Sequence, residues 1–224
     1  CSDEFFAPAK RLINPLKPIF KENVFDNHGK WMDGWETRRK RSKGHDFVII
    51  KLGKPGKIKT ANIDTSFFNG NQPEYAQLEG CYISDNNIKN IKWIKITNKN
   101  KIKANSNNFF KTLNSKTFSH IKLNIFPDGG VARLRLFGKI DLSLHKFSKN
   151  KNIDLASMVN GSQIIACSDE HFGNANNLIL PGKSINMGNG WETRRKRGKG
   201  FDWVIIKLGF NGSINSFEVG THFF

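Results

Sequence analysis

The chain carries one twenty-residue block twice. Residues 34–53 read GWETRRKRSKGHDFVIIKLG and residues 190–209 read GWETRRKRGKGFDWVIIKLG, identical at seventeen of twenty positions. The three changes are Ser42/Gly198, His45/Phe201 and Phe47/Trp203. A block repeated at this length is one structural unit built twice, and it constrains the architecture before any local propensity does. The correspondence continues on both sides. CSDEFF at residues 1–6 matches CSDEHF at 167–172, and GKIKTANIDTSFF at 56–68 aligns with GSINSFEVGTHFF at 212–224. The offset is 166 for the first match and 156 for the others, so one connection is ten residues shorter in the second copy. Length changes between rigid blocks belong in surface loops.

Within each copy the pattern is that of strands. Residues 46–53, DFVIIKLG, have a continuous apolar centre bounded by Gly44 and Gly53, which predicts a buried strand. Residues 58–63 predict a second strand that delivers Asp64 and Thr65 to its end. Alternation puts Ile94 and Ile96 on one face of residues 91–97, and Ile121, Leu123 and Ile125 on one face of residues 121–126. After the turn Pro127-Asp128-Gly129-Gly130, Ala132, Leu134 and Leu136 point inward and Arg133 and Arg135 the other way. Short strands, turn punctuation and almost no helical period predict an all-β sandwich. The one helical candidate is residues 154–161, DLASMVNG, with Asp154 as N-cap and Gly161 as stop. The domains then read as a first repeat over 1–150, a linker with a short helix over 151–162, and an incomplete second repeat over 163–224.

The sequence also reads as a fragment. The second CSDE follows an apolar run, QIIA at 163–166, whereas the first stands at the start of the chain. The second copy stops at Phe224, the counterpart of Phe68, while the first continues to Gly138. The expectation is therefore an inactive, aggregation-prone piece of an active parent.

The net charge of +17, from 36 Lys and Arg against 19 Asp and Glu, raises nucleic acid as a partner. Much of the excess is Lys interleaved with Asn and Ile, as in residues 85–108, and reads as a compositional bias of solvated faces, so no nucleic-acid partner is expected. RRKR inside the repeated block is read as part of that block and not as a targeting patch. No run approaches a membrane span. Three cysteines, Cys1, Cys81 and Cys167, form no C-x-x-C and no even framework, which points to a reducing, cytoplasmic setting.

The motifs CSDE, GWETRRKR, GHD, IDTSFFNGNQPE and FPDGGVARLRLFG, with the tandem duplication, resemble those of the allantoicase family over nearly the whole chain. The resemblance implies hydrolysis of allantoate to ureidoglycolate and urea in purine (allantoin) catabolism. It implies two jelly-roll β-sandwich repeats of the galactose-binding-like kind, assembled as a homo-oligomer. One departure stands out: the second copy has Val219-Gly220-Thr221 where the first has Ile63-Asp64-Thr65, so its carboxylate is missing.

Allantoate is a carboxylate bearing two ureido groups on one carbon. A guanidinium fork suits the carboxylate, amides and carboxylates suit the ureido groups, and cleavage needs a proton for departing urea. Trp35, Glu36, Arg38 and Arg39 supply these types together, with Arg38 or Arg39 as clamp and Glu36 as proton-transfer group. The same residues serve equally as an ion pair holding a loop. Asp3 and Glu4 form a carboxylate pair suited to acid and base roles, or to a turn cap. Asp64 is a further candidate for the chemistry. Asn69, Asn71 and Arg133 are candidates for substrate binding. The second-repeat counterparts are Asp169, Glu170, Trp191, Glu192, Arg194 and Arg195. His45 is replaced by Phe201 and no His/Cys cluster occurs, so no metal ligand set and no cofactor are expected, with weak activation by a divalent cation on oxygen ligands left open. Two other classes stay open on residues alone: a non-catalytic jelly-roll carbohydrate module, and a basic nucleic-acid binder.

Overall fold

The strand DFVIIKLG does not stop at Gly53. In the computed structural model, which describes residues 1–83, 91–141 and 152–224, it runs without a break from Asp46 to Asp64. The chain divides into two compact units, Cys1–His145 and Lys146–Phe224.

The first unit is all-β. Its strands are β1 (Phe25–Asp26), β2 (Gly29–Lys30), β3 (Trp35–Glu36), β4 (Asp46–Asp64), β5 (Tyr75–Cys81), β6 (Ile94–Lys95), β7 (Asn100–Lys101), β8 (Asn107–Lys111), β9 (Thr117–Phe126), β10 (Gly130–Val131) and β11 (Arg133–Ile140). The main sheet has the order β11-β4-β9-β5-β6, with β7 beside β5 and β8 beside β4. All its pairings are antiparallel. β4 explains why the two expected strands are one. Its first half pairs with β9 from Asp46↔Ile125 to Lys51↔His120. Its second half pairs with β11 from Gly56↔Ile140 to Asp64↔Arg133, and with β8 on the other edge. After the register shift between Lys51 and Gly56 the strand still pairs with β9 at Gly56 and Lys57, gains β11 on its other edge from Gly56, and passes from β9 to β8 by Thr60. Gly53 and Gly56 therefore bend the strand between two sheet halves instead of ending it.

The two halves close on one core. Val48, Ile58, Ala61 and Ile63 of β4 meet Leu78 of β5, Ile121, Leu123 and Ile125 of β9, Leu134 of β11, and Trp35 and Leu12. Each fully buried aliphatic side chain here stabilises by roughly 1.5–3 kcal/mol, so the period-two pattern of β9 alone secures a large share of the fold. Phe68, Met32 and Ala132 form a smaller cluster beneath β10. This is the all-β sandwich that the strand pattern predicted, in the jelly-roll form that the resemblance implied.

The second unit contains β12 (Gln163–Cys167) and β13 (Val204–Lys207), paired antiparallel, with short 3-10 turns. The helix expected over residues 154–161 is one of those turns, Met158–Asn160. Gly161 does close it, with φ +97°. Asp154 instead accepts from the amide of Ala156 at 2.9 Å, an Asx turn that competes with helix initiation.

Candidate active site

The repeated WETRR segment lies beside the PDGG turn. Trp35 and Glu36 pair with Val131 and Gly130, and Glu36 also bridges to Ala7 on its other edge. Trp35 is fully buried, and its indole Nε1 donates to the carbonyl of Asp3 at 2.8 Å. It is a core residue that ties down the CSDE segment, so the expected contact with substrate is unsupported by its position. Thr37 is buried, and its Oγ1 accepts from the amide of Gly129 at 3.1 Å. Gly129 has φ +133°, and a Cβ there would lie 2.8 Å from the carbonyl oxygen of Asn71. Glycine is required because the turn is left-handed and packed against the Asn71 loop.

Glu36 is half-buried and its Oε1 accepts from Asn71 Nδ2 at 2.8 Å. Burial pushes its carboxyl above the ordinary glutamate value, and the Asn71 bond only partly opposes that. Asn71 is itself held, because its carbonyl accepts from the amide of Gly130 at 2.7 Å. A carboxyl with raised proton affinity, oriented by an amide on a rigid turn, is suited to proton transfer.

The two arginines of the motif have different fates. Arg38 is clamped by Asp3: Nε and Nη2 donate to Oδ1 at 3.0 and 2.7 Å, and its amide donates to Oδ2 at 2.7 Å. Partial burial raises the Asp3 pKa, but the Arg38 bonds win and hold the carboxyl below its usual range. The amide of Lys40 is pinned in the same way by Asp128 Oδ2 at 2.7 Å. Arg39 sits between these two anchored amides, exposed, with no hydrogen bond or ion pair to another described residue. Asp128, read from sequence only as a turn residue, thus also fixes the loop that presents Arg39. The missed signal is that a turn aspartate has a second oxygen to give.

The remaining candidates hold structure together. Glu4 Oε2 accepts from the amide of Ala9 at 2.8 Å and secures the 3-10 turn that follows. Asp64 is buried, and its Oδ1 accepts from the amide and hydroxyl of Ser66. Asn69 is exposed and makes no side-chain hydrogen bond among the described residues. Arg133, expected on an outer face, is only 1% exposed. Its Nη2 donates to Asp33 Oδ2 at 2.6 Å, and the rest of its fork donates to the carbonyls of Asp33, Ala132 and Leu16. The segment around Leu16 covers that side of the sheet, so Arg133 is a buried clamp and does not reach a ligand.

The second unit repeats this construction. Trp191 Nε1 donates to the Asp169 carbonyl at 2.7 Å, and Arg194 donates to Asp169 through its amide, Nε and Nη2. Glu170 accepts from Ala175 as Glu4 does from Ala9. Arg195 is exposed like Arg39, and Glu192 is half-buried on a bridge to Gly173. Among the described residues no group of three or more His, Cys, Asp or Glu is arranged to hold a metal. No described helix is long and apolar enough to cross a membrane.

The family model for the allantoicase repeat matches residues 1–141 and again residues 153–224. The chain belongs to the allantoicase family. A probable allantoicase of Acinetobacter baylyi is 49% identical over all 224 residues, and one of Pseudomonas fluorescens is 48% identical over 99% of the chain. Two solved allantoicases superpose on 93% of the chain, one at 39% identity and TM-score 0.73, the other, from Saccharomyces cerevisiae, at 38% and 0.72. The chain spans 66% of the length of the A. baylyi relative and 63–64% of the two solved allantoicase chains. Both allantoicase repeats thus carry the same Trp–Asp–Arg anchor.

Proposed function

We propose that the first repeat forms the core of an allantoate-cleaving site, in which Arg39 holds the substrate carboxylate and Glu36 moves the proton. The observation that carries this reading is the contrast within one motif: Arg38 is consumed by Asp3, whereas Arg39 is held out between two pinned amides. A free planar fork on a rigid loop matches a carboxylate with two parallel bonds. Asn71 keeps its side-chain Oδ1 for a ureido N–H while its Nδ2 orients Glu36. In the reaction the bond between the central carbon and one ureido nitrogen breaks. The departing nitrogen takes the proton from the Glu36 carboxyl. Water adds to the same carbon and returns a proton to Glu36, leaving ureidoglycolate and urea. Membership of the family supports the substrate, and the raised proton affinity of Glu36 supports the acid role.

Urea release from allantoate, measured in the active parent expected from the sequence, tests the reading. Glu36→Gln should lose at least about 100-fold in turnover, the usual contribution of a positioned acid–base, and Arg39→Lys should raise KM. Normal turnover in Glu36→Gln would remove Glu36 from the chemistry. Repeating the assay with a chelator and with added divalent cation decides whether an ion on oxygen ligands assists.

A further inference from the structure

The lysines of the main sheet are not all placed alike. Around β5 they face a carboxylate: Lys95 of β6 and Lys122 of β9 both stand opposite Glu79. At the other side of the sheet, Lys139 of β11 stands directly opposite Lys57 of β4. Like charges facing each other across an antiparallel pair oppose folding. Lys59 lies further along β4, and Lys111 of β8 pairs with the adjoining Thr60.

These four lysines line one cleft of about 620 Å³. Its wall beyond β8 is held in place. The Thr112 amide donates to the Lys59 carbonyl at 3.2 Å and its hydroxyl to the Ile58 carbonyl at 2.8 Å. The Leu113 amide donates to the Ile96 carbonyl at 2.8 Å, and Asn114 Nδ2 to the Lys95 carbonyl at 2.8 Å. No acidic side chain lines the cleft, and among the described residues none of the four ammonium groups is in an ion pair. Asp141, shortly beyond Lys139, is engaged by Thr117, whose hydroxyl donates to it at 2.8 Å. Ser115 adds a hydroxyl that has no hydrogen-bond partner among the described residues.

The chemistry of the cleft selects its ligand. Elsewhere in this unit a guanidinium fork meets a planar carboxylate, Arg38 on Asp3 and Arg133 on Asp33. The cleft contains no arginine. Ammonium groups on flexible stems act as point charges and suit the oxygens of phosphate, which point in several directions. Four of them around a concave space of small-molecule size fit a short phosphate chain. We propose that the cleft between β11, β4 and the turn after β8 is a binding site for a small oligophosphate, held by Lys57, Lys59, Lys111 and Lys139 with Ser115 as a further donor. The bound anion relieves the opposition of Lys57 and Lys139. This inference is independent of the reading of the active site.

The test is tripolyphosphate binding to the full chain at low salt, read by calorimetry and by the rise in Tm. Lys57→Met/Lys139→Met should weaken the affinity at least about tenfold and abolish the rise in Tm. Lys10→Met/Lys101→Met makes the same change in net charge at exposed positions outside the cleft, and should stay within about threefold of wild type. If the cleft variant does not fold, acetylation of the wild-type chain decides. Tripolyphosphate should slow acetylation of Lys57, Lys59, Lys111 and Lys139 at least about threefold relative to Lys10 and Lys101, because a neighbouring anion keeps an ammonium protonated and unreactive. ATP measured beside tripolyphosphate separates the sources: tighter ATP binding identifies a nucleotide, equal binding the phosphate chain alone, and both support the cleft. Absence of binding, equal loss in the two double variants, or equal protection of all these lysines overturns the proposal. Duplex DNA that binds more tightly than tripolyphosphate and is lost with the same cleft pair overturns it as well, since the face would then be a nucleic-acid surface.

Discussion

Glu36 and Arg133 show how burial acts differently on a carboxyl that lacks a charged partner and on a guanidinium that has one. Glu36 is destabilised by its own burial, and the sign follows from its raised pKa. Its contribution to stability is full below the ordinary glutamate value of about 4.3 and is lost as pH rises through the higher folded value. Glu36→Gln should therefore keep or raise Tm at neutral pH while it removes turnover, and a variant that melts well below wild type would contradict this. Asp3 has the opposite sign, because its folded pKa is lowered. Its stabilising contribution is present above the ordinary aspartate value of about 3.9 and is lost as pH falls through the lower folded value. Acid melting curves of Asp3→Asn should converge on wild type only once the pH has fallen below the lowered folded value, where both carry a neutral side chain. Arg133 is another matter: removing it strands the buried Asp33 carboxylate. Arg133→Met should cost roughly 3–5 kcal/mol in denaturant unfolding, with KM for allantoate unchanged in whatever protein still folds.

At the scale of elements, the site depends on how tightly β3, β10 and the Asn71 turn are packed. A Cβ on Gly130 would run into the ring of Phe68, which is fully buried and cannot retreat. Gly34 meets the same ring and the Val131 carbonyl. Gly130→Ala should thus destabilise by about 1–3 kcal/mol, and it should also loosen Glu36, since β10 is the strand that pairs with it. Chemical denaturation and KM together check this: a variant of full stability would mean that the turn can shift without cost. β4 teaches the complementary lesson. Its length comes from exchanging partners midway, and each partner is named only by residues far along the chain.

At the scale of the molecule, the two units have the same motif and unequal cores. In the first, Ile121 and Leu123 of β9 sit opposite Ile50 and Val48. In the second, the counterparts Ile206 and Val204 are half-exposed, and among the described residues no strand other than β12 pairs with β13. Ala175 and Ile179 are its buried hydrophobic residues, whereas Phe217 and Val219 are 88% and 70% exposed. Limited proteolysis should digest residues beyond about 160 first and leave a resistant first unit, because local opening follows contact density. Equal protection of both units would show that the second finds cover that this arrangement does not reveal.

What could be read from the sequence was whatever is local or duplicated. The inward Ile121, Leu123 and Ile125, the turn at Pro127, and the grouping of Trp35, Glu36, Arg38 and Arg39 all follow from spacing of a few residues, and spacing survives folding. The equivalence of the two copies followed from identity alone. The roles of the charged residues did not, because a charge is defined by its partner. Asp3 lies 35 residues from Arg38, and Asp33 lies 100 from Arg133. Only the closed sandwich brings these pairs together. Once Asp3 has taken Arg38 and Asp33 has taken Arg133, Arg39 is the arginine of that set left without a carboxylate partner among the described residues. The separation of an anchored from an unpaired arginine within one RR dipeptide is a tertiary decision, made by which carboxylate the fold delivers within hydrogen-bonding reach.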